Sequence, residues 1–181
     1  MQLFTKDECI QWCTDRSLIW SPGTIPALNP EWSRGICIKI PIEGGRQFAL
    51  ATVLSWYFWR DCTFGGALFW LRDYAVTSPE FEEAGTAMFE SLYVGSKPFP
   101  SISDVRGRLF DCHERAHLRG MLLISMLCDW DAYLVPEDAK HIVAISHESR
   151  VDIVVADASH ERTLLEEFEY WAPSRVSEHR R

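Results

Sequence analysis

Residues 113–117 read His-Glu-Arg-Ala-His, which places two imidazoles four positions apart with a carboxylate between them. On an α-helix, residues i and i+4 share a face, so His113 and His117 could hold one Zn²⁺ while Glu114 polarises a metal-bound water as general base. That is the chemistry of a zinc-dependent hydrolase. It needs a third ligand from elsewhere in the chain, and Glu148 and Glu161 are the candidates. A structural role competes with it. Phe110, His113, His117, Met121 and Ile124 fall on the same helical face, where neutral imidazoles can sit at a core boundary bonded to backbone.

The segment continues Leu118-Arg119-Gly120, and over these eight residues it resembles the HExxHxxG opening of the metzincin metallopeptidases. The resemblance implies a peptidase with zinc as its cofactor. The chain departs from that pattern at Leu123, where the third histidine would stand, and at Arg115, where such helices carry an uncharged residue. Outside this reading no cofactor is expected.

A second group of chemically capable residues is acidic. Asp129 and Asp131 flank Trp130, and Glu137 and Asp138 follow closely. Alternate residues of an extended chain point to one side, so Asp129 and Asp131 could grip a metal or a basic protein partner together. The structural alternative has Asp129 ending a helix, Trp130 buried, and Asp131 capping the turn into a strand. Trp56-Tyr57-Phe58-Trp59, with Phe69 and Trp70, could line a ligand pocket, with a packed core as the default. Ser146-His147 and Asp152 are close in sequence, which does not make a triad. Cys112 and His113 are turned about 100° apart on a helix, too far for a nucleophile–base pair. No GxSxG, GxGxxG or phosphate-binding loop occurs.

The bulk composition narrows the classes. The chain has 181 residues, 47% apolar and 24% charged, enough for one packed domain. A net charge of −8 argues against nucleic acid and against an anionic membrane surface, and it favours a basic protein partner. The longest uncharged apolar run, 47–59, falls short of the roughly 18 residues of a membrane span. Lys6, Asp7 and Glu8 stand where a secretory signal would begin its apolar core. Six scattered cysteines without a CxxC pair read as reduced, buried thiols. A cytoplasmic location is the expectation.

Thr5 and Glu8 fit a capping box that starts a first helix, with Phe4 stapled onto Cys9. Residues 21–30 form a proline-rich loop. A strand at 36–42, with its isoleucines on one buried side, turns at Glu43-Gly44-Gly45-Arg46 into a returning strand, 47–57. A third strand follows from Ala67 to Val76. Ser78-Pro79-Glu80 starts a helix with Phe81, Ala84, Met88 and Leu92 on its apolar face, ended by Gly95. A long helix covers Ser103 to Cys128. Strands at 132–136, 141–146 and 150–156 come next, with a turn at Ser146–Ser149. Ser159 caps a last helix carrying Leu164, Leu165, Phe168 and Trp171. The expected fold is therefore α+β, a single domain over 1–173 with a frayed polar tail at 174–181. Its mainly antiparallel sheet is built from two β meanders with about four helices packed on it. The expected function is a non-catalytic, immunity- or inhibitor-like protein-binding module, with Asp129, Asp131, Glu137 and Asp138 meeting the partner. The zinc hydrolase is the alternative.

Overall fold

The structure, a computed structural model, describes residues 2–18, 34–60, 66–73, 79–91, 106–111, 113–155 and 157–176. In chain order the elements are β1 (Gln2–Phe4), α1 (Lys6–Asp15), β2 (Arg34–Lys39), α2 (Gly44–Arg60), β3 (Ala67–Asp73), α3 (Pro79–Ser91) and β4 (Gly107–Phe110). Then come α4 (Arg115–Leu127), β5 (Asp131–Pro136), β6 (His141–Ser146), β7 (Arg150–Val155), α5 (Ala158–Glu167), a 3-10 turn at Glu169–Trp171 and β8 (Ser174–Arg175). The fold is α+β: one eight-stranded antiparallel sheet in the order β1-β4-β3-β5-β6-β7-β2-β8. No described helix is long and apolar enough to cross a membrane.

Residues β-branched at Cβ fill β6 and β7 and hold them extended, and both faces of the sheet are covered. On the first face, Leu134, Val143, Ile145, Val151 and Ile153 pack beneath α2, α3, α4 and α5. On the second, Cys37, Leu68, Trp70, Tyr133, Ile142 and Val154 meet Cys9, Trp12 and Cys13 of α1. Gly35 brings β2 against β7: its φ is +143°, and a Cβ there would lie 2.0 Å from the Ile153 carbonyl oxygen. The Gly35 N–H donates to Glu161 Oε1 at 3.2 Å, tying α5 to β2. The capping box at α1 is present, with Thr5 N–H on Glu8 at 2.7 Å and Glu8 N–H on Thr5 at 3.3 Å.

Several expectations need correction. Residues 47–57 are helix, not strand. The buried residues Leu50, Ala51, Leu54 and Tyr57 recur at helical spacing, and Gly44-Gly45 opens the helix instead of a hairpin, with the Arg46 and Gln47 N–H groups donating to Glu43 O. The long helix from Ser103 is interrupted, because Gly107–Phe110 form β4 between β1 and β3. A ladder with residues far away in sequence overrides the local helical phase there, and Gly107 lets Cys9 and Phe4 approach. Only β5-β6-β7 make a meander, since β2 lies between β7 and β8. β2 is buried on both sides, and Ile42, beyond its end, is 92% exposed. Among the described side chains of α3, Gly85 and Phe89 are buried while Ala84 and Met88 face out, and the Phe81 side chain lies outside them. Asp157, not Ser159, caps α5, by accepting from the Ser159 N–H. Ser174 and Arg175, the first residues of the expected tail, pair with Cys37 and Ile36, and residues 177–181 lie outside the described residues. The loop 21–30 and the residues Ser78, Leu92 and Gly95 lie outside the described residues.

Candidate functional site

The HExxH segment divides at the start of α4. His113 sits in the turn before the helix, and its N–H donates to Asp111 Oδ1 at 2.7 Å. His117 is in the first turn, and both side chains are exposed. With His113 ahead of the helix, the regular i, i+4 spacing does not by itself set the two imidazoles side by side. Among the described residues no group of three or more His, Cys, Asp or Glu could hold a metal ion. Glu114 has a different partner. Its Oε1 accepts from Arg108 at 2.6 Å, and its Oε2 accepts from the Asp111 N–H at 3.2 Å. Arg108 is only 3% exposed, so Glu114 balances a buried cation and pins β4 to the start of α4.

The four acidic residues part to the two ends of β5, a strand of six residues that spans about 20 Å. At one end, Asp129 takes the left-handed conformation (φ 50°) just past α4, and the Trp130 N–H closes the helix onto Ser125 O at 2.9 Å. This is a Schellman ending, with Trp130 buried behind it. Asp131 accepts from both the N–H and the ring Nδ1 of His147, each at 2.9 Å. At the other end, Glu137 accepts from Arg16 and from the Gly66 N–H, and Asp138 from Lys140. Asp131, Glu137 and Asp138 thus already meet donors within the chain, and the quartet does not form one patch.

A polar cleft of about 270 Å³ opens on the second face of the sheet, where α1 does not reach. Its floor follows from the register: Tyr133, Ala144 and Asp152 stand abreast on β5, β6 and β7, and small Ala144 leaves a hollow between them. Arg72 donates to the Tyr133 hydroxyl at 3.1 Å, and Arg150 pairs with Glu148 at 2.9 Å and Asp152 at 3.5 Å. The Ser146 hydroxyl accepts from the Glu148 N–H while His147 turns to Asp131, so Ser146, His147 and Asp152 form no relay. Cys37 beside Asp152 is no nucleophile either, because burial and the adjacent carboxylate push its thiol up to about 12.

The surface that stands out lies on the other side, over α2 and α4. These helices run antiparallel, with Gly44 against Leu127 at one end and Trp56 beside Arg115 at the other. Phe48, Thr52 and Trp56 are spaced by one helical turn along the outer side of α2, and Trp56 is 55% and Phe48 46% exposed. Arg115 lies 3.8 Å over the Trp56 ring and Arg119 5.0 Å over the Phe48 ring. Arg46, on the first turn of α2, stands 5.9 Å over Trp171. Half-buried Leu123 on α4 packs against the core beneath, as does Val53 on the opposite flank of α2. The aromatic run 56–59 is thus split: Trp56 faces out and Tyr57 packs inward, with Phe58 and Trp59 side chains outside the described residues. Sequence reasoning missed Phe48 and the arginines as a group, because their i, i+4 spacing has meaning only once 44–60 is read as helix. No family model, curated protein or solved structure matches the chain.

Proposed function

We propose that this chain is a non-catalytic protein-binding module of the immunity or inhibitor kind, acting in the cytoplasm and binding through the α2–α4 face. One observation carries the reading: two large aromatic side chains remain about half exposed two turns apart on α2, each with an arginine of the adjacent α4 over its ring. Aromatic residues and arginine are the types that dominate binding energy at protein interfaces, and exposed apolar surface rimmed by polar groups marks such sites. A reducing compartment suits the buried free thiols of Cys9, Cys13, Cys37 and Cys128. The net charge of −8 favours protein over nucleic acid as the partner class. It also raises the expectation of a basic partner gripped by Asp129, Asp131, Glu137 and Asp138. Because those carboxylates are divided between two ends of β5, the reading rests on α2–α4 instead. The zinc-hydrolase alternative has no comparable support, since Glu114 is spent on Arg108 and His113 lies outside the helix.

The test is a photo-crosslinking amino acid placed at position 56, and separately at the distant, exposed position 140, in cells of the source organism. A discrete protein adduct at 56 and none at 140 is the expected result. Absence of any protein adduct at 56 and at a second probe at 48 would refute binding through this face.

A further inference from the structure

We infer that the α2–α4 face docks an acidic segment of a protein partner, an inference that rests on the protein-binding reading and adds the chemistry of what is bound. The carrying observation is the placing of cations in an acid-rich chain. The sequence holds 26 Asp and Glu against 18 Lys and Arg, so a typical arginine has carboxylates to spare. Arg16, Arg108 and Arg150 behave that way and pair with Glu137, Glu114 and Glu148. Arg115 and Arg119 on α4 do not. Although Arg72, Arg162 and Arg175 also lack an ion pair among the described residues, Arg115 and Arg119 are set apart by the exposed α2 ring under each guanidinium.

The segregation extends along the elements. α2 and α4 contain no Asp or Glu at all. Their neighbours are acidic on balance: α3, which packs on α4, holds four glutamates and no Lys or Arg, and α5, reached from α2 through Tyr57 and Phe168, holds three glutamates and one arginine. A cationic, aromatic strip therefore runs between two acidic banks. A guanidinium stacked on a ring keeps its N–H edge outward and loses little further freedom on binding, which prepares it for bidentate contact with a carboxylate. The acidic banks would repel a polyanion wider than the strip, so a nucleic-acid duplex or an anionic bilayer fits less well than one helix or loop. Phe48 and Trp56 ask for apolar residues on that segment beside its acids.

The experiment uses fluorescence anisotropy with three labelled probes: a short amphipathic peptide of Glu, Ala and Leu, the same peptide with Lys for Glu, and a short DNA duplex. Each is titrated with the parent, with the double variant Arg115→Glu, Arg119→Glu, and with Trp56→Ala, all checked for unchanged circular dichroism. The expected result is that the parent binds the acidic peptide best. Binding should weaken at least about tenfold in the double variant, weaken in Trp56→Ala, and fall with added salt. Tighter binding of the Lys peptide or of DNA overturns the inference, as does equal binding by the double variant. If no peptide binds while the probe at position 56 still captures a protein, the partner is not acidic and the protein-binding reading survives. If that probe captures nothing, both fail together.

Discussion

The HExxH segment makes opposite predictions under its two readings, and they can be separated without an activity assay. In a zinc site, the histidines would support a metal-dependent increment of stability, and Glu114 would matter to turnover alone. Here the weights are inverted. Glu114 faces a guanidinium that is 3% exposed, at 2.6 Å, and also accepts the Asp111 N–H. Removing one partner of a buried pair typically costs about 3–5 kcal/mol. Two features lower that figure: the Glu114 side chain is 21% exposed, and Arg108 also lies 4.4 Å over the Phe110 ring. Glu114→Ala should therefore destabilise by about 2–3 kcal/mol, and Glu114→Gln, which keeps an acceptor, by about 1–2 kcal/mol. His113→Ala and His117→Ala, both at exposed side chains, should stay within about 0.5 kcal/mol. The assay is urea unfolding followed by fluorescence. With a slope of about 2 kcal/mol per molar, Glu114→Ala should lower the midpoint by about 1 M, with the slope unchanged and both histidine variants superimposed on the parent. A histidine variant less stable than Glu114→Gln, or a parent stabilised by added zinc in a His113-dependent way, would refute the assignment.

Three further outcomes follow from the fold. Gly35→Ala should cost at least about 3 kcal/mol, or prevent folding, because the new Cβ meets the Ile153 backbone where φ already disfavours side chains; a parent-like urea midpoint would show that β2 can shift away. The thiols of Cys13 and Cys37, pushed up to about 12 by burial, should resist a disulfide reagent at pH 8, as should Cys9 and Cys128, until urea opens the fold; rapid labelling of any of the four would contradict their burial. These thiols keep their protons in the folded chain after the unfolded chain has lost its own. Their contribution is thus full below about pH 8.5 and declines as the pH rises toward 12, measurable as a falling urea midpoint across that window. Trp56→Ala should change stability by no more than about 0.5–1 kcal/mol, since the ring is largely in water; a larger loss would make it a core residue and not a contact one.

Local signals were readable where they acted alone. The Thr5–Glu8 box, Pro79 at the start of α3 and the apolar runs of β5, β6 and β7 all announce their elements from neighbouring residues. What failed was arbitrated at a distance. Val53, Trp56 and Tyr57 are strand-favouring types, and Gly44-Gly45 looks like a turn, yet Leu50, Leu54 and Tyr57 reach the same core only if the segment coils. β4 is four residues whose reason to be extended is Leu68 and Phe69, about forty positions earlier. Of the site, the residues were visible and their grouping was not. Glu114 stood in a motif that concealed its link to Arg108, while Phe48, Trp56, Arg115 and Arg119 belong to helices that touch only after folding. The acidic quartet was adjacent in sequence, and β5 separates it.

The position of β2 has a consequence for synthesis. The strand is made more than a hundred residues before its ladder partners, β7 and then β8. Until β7 emerges, a segment with Ile36, Ile38 and Ile40 has no edge to join, while β3, β4, β5 and β6 can already pair. Closure of the sheet on β2 must therefore wait until β7 is made, in the manner of slow, high-contact-order topologies. During that interval the nascent chain carries an open apolar strand that suits a chaperone, and a ribosome stalled before β7 would leave a product with every helix of the α2–α4 face but no completed sheet beneath it.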